Sequence, residues 1–161
     1  MTDTRWLDEG EQRAWRSFMT AVNLLEASLD RQLRRDAGMP HTYYLALVML
    51  SEAPDRTRTM TDLARILRSS ASRLSHAVAR LEGDGLVRRY KRPGDRRTTL
   101  VELTPEGLAA LRDAAPGHVT EVRRIVFDTL SRDQVGQLRE ISEAMLGALD
   151  PRHEDPGRPP R

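Results

Sequence analysis

A mainly α-helical fold with one small β-hairpin is what this sequence predicts, on three observations. Near the start, Trp15, Phe18, Met19, Val22, Leu25, Leu29 and Leu33 fall three or four apart, and similar stripes return near the end. Val87–Lys91 and Thr98–Leu103 have strand character and flank Arg92-Pro93-Gly94-Asp95-Arg96-Arg97, whose Pro-Gly-Asp core is turn chemistry. Two short helical patterns stand directly before that hairpin.

Composition suits such a fold. Apolar residues make up 39% and charged ones 31% of 161 residues, lean but sufficient for one domain with a real core. Cysteine is absent, which excludes disulfides and thiolate metal sites. The four histidines lie far apart in sequence, so neither a metal nor another cofactor is expected. No apolar run approaches the roughly 18 residues of a membrane helix, and no signal-peptide pattern opens the chain. A cytoplasmic protein without a membrane partner is the expectation.

Taken in order, a helix is expected from Glu9 to Asp36, stopped by Gly38 and Pro40. A second covers His41 to Glu52, closed by Ala53-Pro54. Asp55 to Arg58 read as a polar loop and Thr59-Met60 as one short strand. Thr61 reads as the cap of a helix over Asp62–Leu67, and Ser69 or Ser70 as the cap of the next, Ala71 to about Asp84. After the hairpin, Thr104-Pro105-Glu106 starts a helix: a cap residue, proline in the first turn, then an acid at the positive end of the dipole. Pro116-Gly117 should kink or break it. Ser131 and Gln134 form a capping box for a last helix to Leu149, and residues 150–161, rich in proline, read as a disordered tail.

Two short helices, then two strands around a basic turn, is the order of a winged helix-turn-helix. Residues 54–100 carry a net charge of +7, against −5 for the rest, so positive charge concentrates where that pattern lies. On the second short helix Ala71, Leu74, Val78 and Leu81 face inward, while Ser72, His76 and Ala79 take the opposite face, flanked by Arg73, Ser75 and Arg80.

Several short motifs follow one another here: M-T-D-L-A from Met60, S-x-S-R-L-S-H-x-V-x-R-L-E-x-x-G-L-V-x-R from Ser70, D-R-R from Asp95, and L-T-P-E-G ending at Gly107. In this order they resemble the MarR family of bacterial transcription regulators, over about residues 9 to 149. The resemblance implies a single domain, 1–149. Within it, 54–104 would be the DNA-binding lobe, and helical regions 9–52 and 105–149 would support a homodimer. It further implies a repressor that binds a palindromic double-stranded DNA operator and responds to a small, often aromatic or anionic, effector.

On that reading the DNA-binding candidates are Ser70, Ser72, Arg73, Ser75, His76 and Arg80 on the recognition helix, with Arg92, Asp95, Arg96 and Arg97 at the wing. The resemblance places Arg97 in the minor groove. Arg73 suits bidentate contact with guanine, and the serines suit several base edges. Asp95 either pairs with an arginine or organises the turn. Arg88 and Arg89 fit phosphate anchors or strand-surface charges equally. Effector candidates are Trp15, His41, Tyr44 and His118, although Trp15 and Tyr44 also fit core positions. Two other readings stand beside this one: an architectural DNA binder of weak sequence preference, and a winged helix used for protein–protein contact. No nucleophile elbow, phosphate-binding glycine loop or His-Glu metal pattern points to an enzyme.

Overall fold

The structure, a computed structural model, describes residues 4–150. The tail expected to be disordered lies, from residue 151 onward, outside the described residues. Two compact units divide the chain, one running to Glu121 and one beginning at Val122.

The first unit contains α1 (Glu9–Ala37), α2 (His41–Ser51), β1 (Thr57–Thr59), α3 (Met60–Ile66), α4 (Ala71–Gly83), β2 (Val87–Arg92), β3 (Asp95–Leu103) and all but the last residue of α5 (Pro105–Val122). Asp8 and Glu11 close a capping box at the start of α1, and Gly38 ends it in the left-handed conformation at φ 65°. Leu29 and Leu33 of its apolar stripe are buried, but Trp15, Phe18 and Val22 remain exposed.

Leu33, Leu47, Leu50, Leu63, Val78, Leu81, Val87 and Val101 form the fully buried centre, drawn from α1 to α4 and the sheet. Each such side chain contributes about 1.5–3 kcal/mol by leaving water. The sheet is antiparallel in the order β1-β3-β2, with Thr57 opposite Glu102 and Tyr90 opposite Leu100.

Three boundaries differ from the sequence expectation. Thr59, not Thr61, caps α3: its hydroxyl accepts from the Asp62 amide at 3.0 Å and donates to the Asp62 carboxylate at 2.9 Å. The short strand is Thr57–Thr59 rather than Thr59-Met60 because β3 offers partners to those three residues, and Arg58 is no loop residue: its Nε donates to the Met49 carbonyl at 2.8 Å. The hairpin strands extend until only Pro93-Gly94 remains as the turn.

The L-T-P-E-G junction fixes α5 to the end of α4. Thr104 donates its amide to the Leu86 carbonyl at 3.1 Å and its hydroxyl to that of Gly85 at 2.7 Å, while accepting from the Gly107 amide at 2.9 Å. Of the kink or break expected at Pro116-Gly117, the break does not occur. The helix continues to Val122, with Thr120 donating to the Pro116 carbonyl at 2.8 Å. A proline in helical conformation loses one donor, and the helix tolerates that here.

The second unit opens with a π-helical turn at Arg123–Phe127, followed by α6 (Arg132–Leu149). The Ser131–Gln134 capping box is formed, with bonds of 3.2 and 2.9 Å. No α6 residue is buried within the chain, and Leu138, Ile141, Met145 and Leu149 are exposed. Among the described residues no helix is long and apolar enough to cross a membrane.

Candidate nucleic-acid interface

The turn from α3 to α4 is only Leu67 to Ser70, and Arg68 adopts the left-handed conformation there at φ 50°. Ser70 caps α4, its hydroxyl oxygen accepting from the Arg73 amide at 3.3 Å. That bond uses one of the two acceptor positions of the oxygen, so Ser70 offers a ligand its proton and one remaining lone pair. Leu74, Val78 and Leu81 anchor α4 in the core and turn Ser72, Arg73, Ser75, His76 and Arg80 outward, all exposed. Arg80 leans back to Asp84 at 3.5 Å. The side chains of Arg73 and His76 have no hydrogen bond or ion pair with another described residue.

At the hairpin tip the two alternatives for Asp95 separate. Its carboxylate accepts from the Arg97 amide at 2.9 Å and from the Thr98 hydroxyl. The Thr98 bond, then the Arg97 amide, hold this carboxyl below the usual aspartate range. Asp95 therefore organises the turn, and the guanidinium groups of Arg96 and Arg97 project exposed without a partner among the described residues. Arg92 is exposed beside them.

Arg88 and Arg89 separate too. Arg88 Nε donates to Glu102 at 2.8 Å, and its guanidinium lies 5.4 Å from the Tyr90 ring centre. Arg89 donates its backbone amide and its Nε to Glu82, both at 2.8 Å, tying β2 to the last turn of α4. Those bonds, the side-chain one foremost, lower the Glu82 carboxyl from its ordinary range. Sequence reading missed this strap, although Glu82 and Arg89 both lie within the quoted motif.

Of the effector candidates, His41, Tyr44 and His118 come together. The His118 ring centre is 4.5 Å from Tyr44 and 5.5 Å from His41, and His41 Nδ1 lies 3.1 Å from Glu26. Trp15 shares no ring contact with them among the described residues and is 54% exposed. Nor do any of the four line the groove that α2 forms with α4. That groove, of about 400 Å³, is walled by Tyr43, Leu45, Leu67 and Leu74 and edged by Arg68, Arg73 and His76. Sequence spacing gave no sign of it, because it needs the packing of α2 on α4.

A family model described as the MarR family matches residues 37–98, from the end of α1 to the wing. Sco3205, a MarR family transcriptional regulator from Streptomyces coelicolor whose crystal structure is in complex with DNA, is 50% identical. The two superpose with a TM-score of 0.89 over 96% of this chain and 97% of that one. This chain belongs to the MarR family of transcriptional regulators. AbsC, a MarR family regulator from the same organism, is 38% identical, with a TM-score of 0.84 over 91% of this chain and 98% of its own. The HTH-type transcriptional repressor YetL of Bacillus subtilis (strain 168) is 28% identical over 112 residues, which cover 70% of this chain but only 64% of YetL. Against that curated relative, the MarR-family chain spans less than two thirds of the length.

Proposed function

We propose that this MarR-family chain is a sequence-specific double-stranded DNA-binding regulator, a homodimeric repressor of an imperfect palindrome released by a small ligand. One observation carries the reading. Arg73 and His76 on α4, and Arg96 and Arg97 at the wing, expose side chains that have no hydrogen-bond or ion-pair partner among the described residues, whereas the neighbouring Arg88 and Arg89 are spent on Glu102 and Glu82. The DNA complex of Sco3205 supports it.

In this reading α4 enters the major groove. Ser72, Arg73, Ser75 and His76 meet base edges, and Ser70 and Arg80 meet phosphate. Arg92, Arg96 and Arg97 follow the backbone into the minor groove, with Asp95 holding the turn. Phosphate neutralisation supplies much of the affinity, so binding falls steeply with salt. Two copies related by a two-fold axis read half-sites roughly 34 Å apart. The groove between α2 and α4 suits an amphipathic anion: its walls are apolar and its edge is cationic. An occupant there competes with DNA for Arg73 and His76, which gives it the differential affinity that release requires.

Selection from random duplexes at fixed salt tests the core of this reading. Enrichment of one inverted repeat with half-site centres about 10 base pairs apart is expected. Retention of duplexes without any consensus would instead mean an architectural binder, and no retention a protein-interaction module.

A further inference from the structure

The junction of α1, α2 and α5 contains two buried polar atoms with no hydrogen-bond partner among the described residues. Gln32 is 3% exposed, yet its Oε1 has no partner, and the buried Nδ1 of His118 has none either. His118 packs its ring against Tyr44 and His41 of α2, and the Gly117 before it stands against the Gln32 amide of α1. A neutral imidazole that carries its proton on Nε2 leaves Nδ1 as a bare lone pair, which burial tolerates. A proton on Nδ1 creates a buried cation and an N–H with no acceptor, a far larger penalty.

The charged groups around it offer no relief. From α1, Glu26 is engaged with the His41 ring, Asp30 with Arg34 and the His41 amide, and Asp36 with Arg35 and Gln32. From α5 itself, Glu121 accepts from Ser28 at 2.8 Å. From α2 come Tyr44 and a second imidazole, His41, which repels a cation when it is itself charged. Among the described residues no three His, Asp or Glu gather as a metal site, so a proton is the ion this cluster can take.

We infer that His118 is a proton-operated release, whose protonation separates α5 from the α1–α2 junction and thereby weakens DNA binding. The inference rests on the DNA-binding reading and names a regulation of that same surface. The coupling element is α2. One part of it carries His41 and Tyr44, and another, Tyr43 and Leu45, walls the groove against Arg73, Leu74 and Ala77 of α4. A shift of α2 is therefore a shift in what supports the recognition helix.

The sign follows from linkage. Burial, and secondarily His41, hold the His118 imidazole below its ordinary value of 6.5. An opened form with the ring in water binds a proton first as pH falls below that value, so acid favours the opened form. The effect is bounded at about tenfold per pH unit for one proton. Above 6.5 the closed form carries no such penalty. His76 acts in the opposite direction, since an imidazolium on α4 attracts phosphate, and must be removed from the comparison.

The test uses the full chain in the His76→Gln background, with a duplex selected at pH 7.5 and the salt held constant. Affinity is expected to fall at least fivefold from pH 7.5 to 5.5, and by less than twofold when His118→Phe is added. His118→Asn, which also takes no proton, serves if the phenylalanine variant does not fold. An undiminished acid loss in both variants overturns the inference. So does an NMR titration of the DNA-free protein in which His118 titrates at or above 6.5. If the unsubstituted chain retains no duplex at any pH, the DNA reading is what fails, and amide exchange decides the switch. Faster intrinsic-corrected exchange in α2 and α5 at pH 5.5, abolished by His118→Phe, supports it; unchanged exchange overturns it.

Discussion

Arg88 and Arg97 come from the same basic run and have opposite situations. Arg88 is held by Glu102 across the sheet and lies over Tyr90, while Arg97 gives its backbone amide to Asp95 and its guanidinium has no partner among the described residues. The proposed interface therefore predicts that Arg97→Ala weakens binding of the selected duplex by about 1–3 kcal/mol. Mobility shifts at one fixed salt measure it, and an unchanged affinity removes Arg97 from the surface. Arg88→Ala in the same assay is expected to change affinity by less than about 0.5 kcal/mol, as for a surface position away from the contact. The outward face of α4 was legible in the sequence because helical period depends only on near neighbours. The division of labour among the arginines was not, because it rests on the pairing of Arg88 with Glu102, set by strand register, and of Arg89 with a residue on α4.

Elements meet most tightly where α5 begins. A Cβ on Gly107 would stand 2.0 Å from the Leu86 carbonyl oxygen and 2.8 Å from a Leu103 methyl. The oxygen is backbone, already bonded to the Thr104 amide, and has nowhere to go. Gly107→Ala is accordingly expected to destabilise the first unit by about 3 kcal/mol, the upper end of overpacking. A thermal melt reads this directly; a midpoint within a degree of the parent would refute the close approach. The cap-proline-acid signal located this helix start without revealing why glycine follows, since the reason lies some twenty residues away at Leu86. A similar limit explains α3. Thr59 and Thr61 both carry capping chemistry, and the choice between them is made by β3, which pairs the chain as far as Thr59. Pro116 marks the converse case, a strong local signal for a break that the helix overrides.

Across the molecule, apolar side chains without cover remain in both units. Trp15, Phe18 and Val22 lie exposed on the first half of α1, and Leu138, Ile141 and Met145 on α6. Periodicity identified these stripes but not what buries them, because a helical face looks the same whether its partner is its own chain or another. Contiguous apolar surface at helical spacing marks an interaction face, and each large side chain buried there gains about 1.5–3 kcal/mol. On the proposed reading a second copy is the occupant, since a closed two-fold interface would fix the spacing of two α4 helices on a palindromic site. Phe18→Glu combined with Val22→Glu places charge in that surface without disturbing the buried Leu29 and Leu33. Light scattering should then give the monomer mass with helical content retained. Affinity for the two-half-site duplex should fall about 100-fold or more, because the second recognition helix is no longer tethered to the first. A doubled mass that survives both substitutions would exclude α1 as the dimer surface and leave the exposed face of α6 to be tested in the same way.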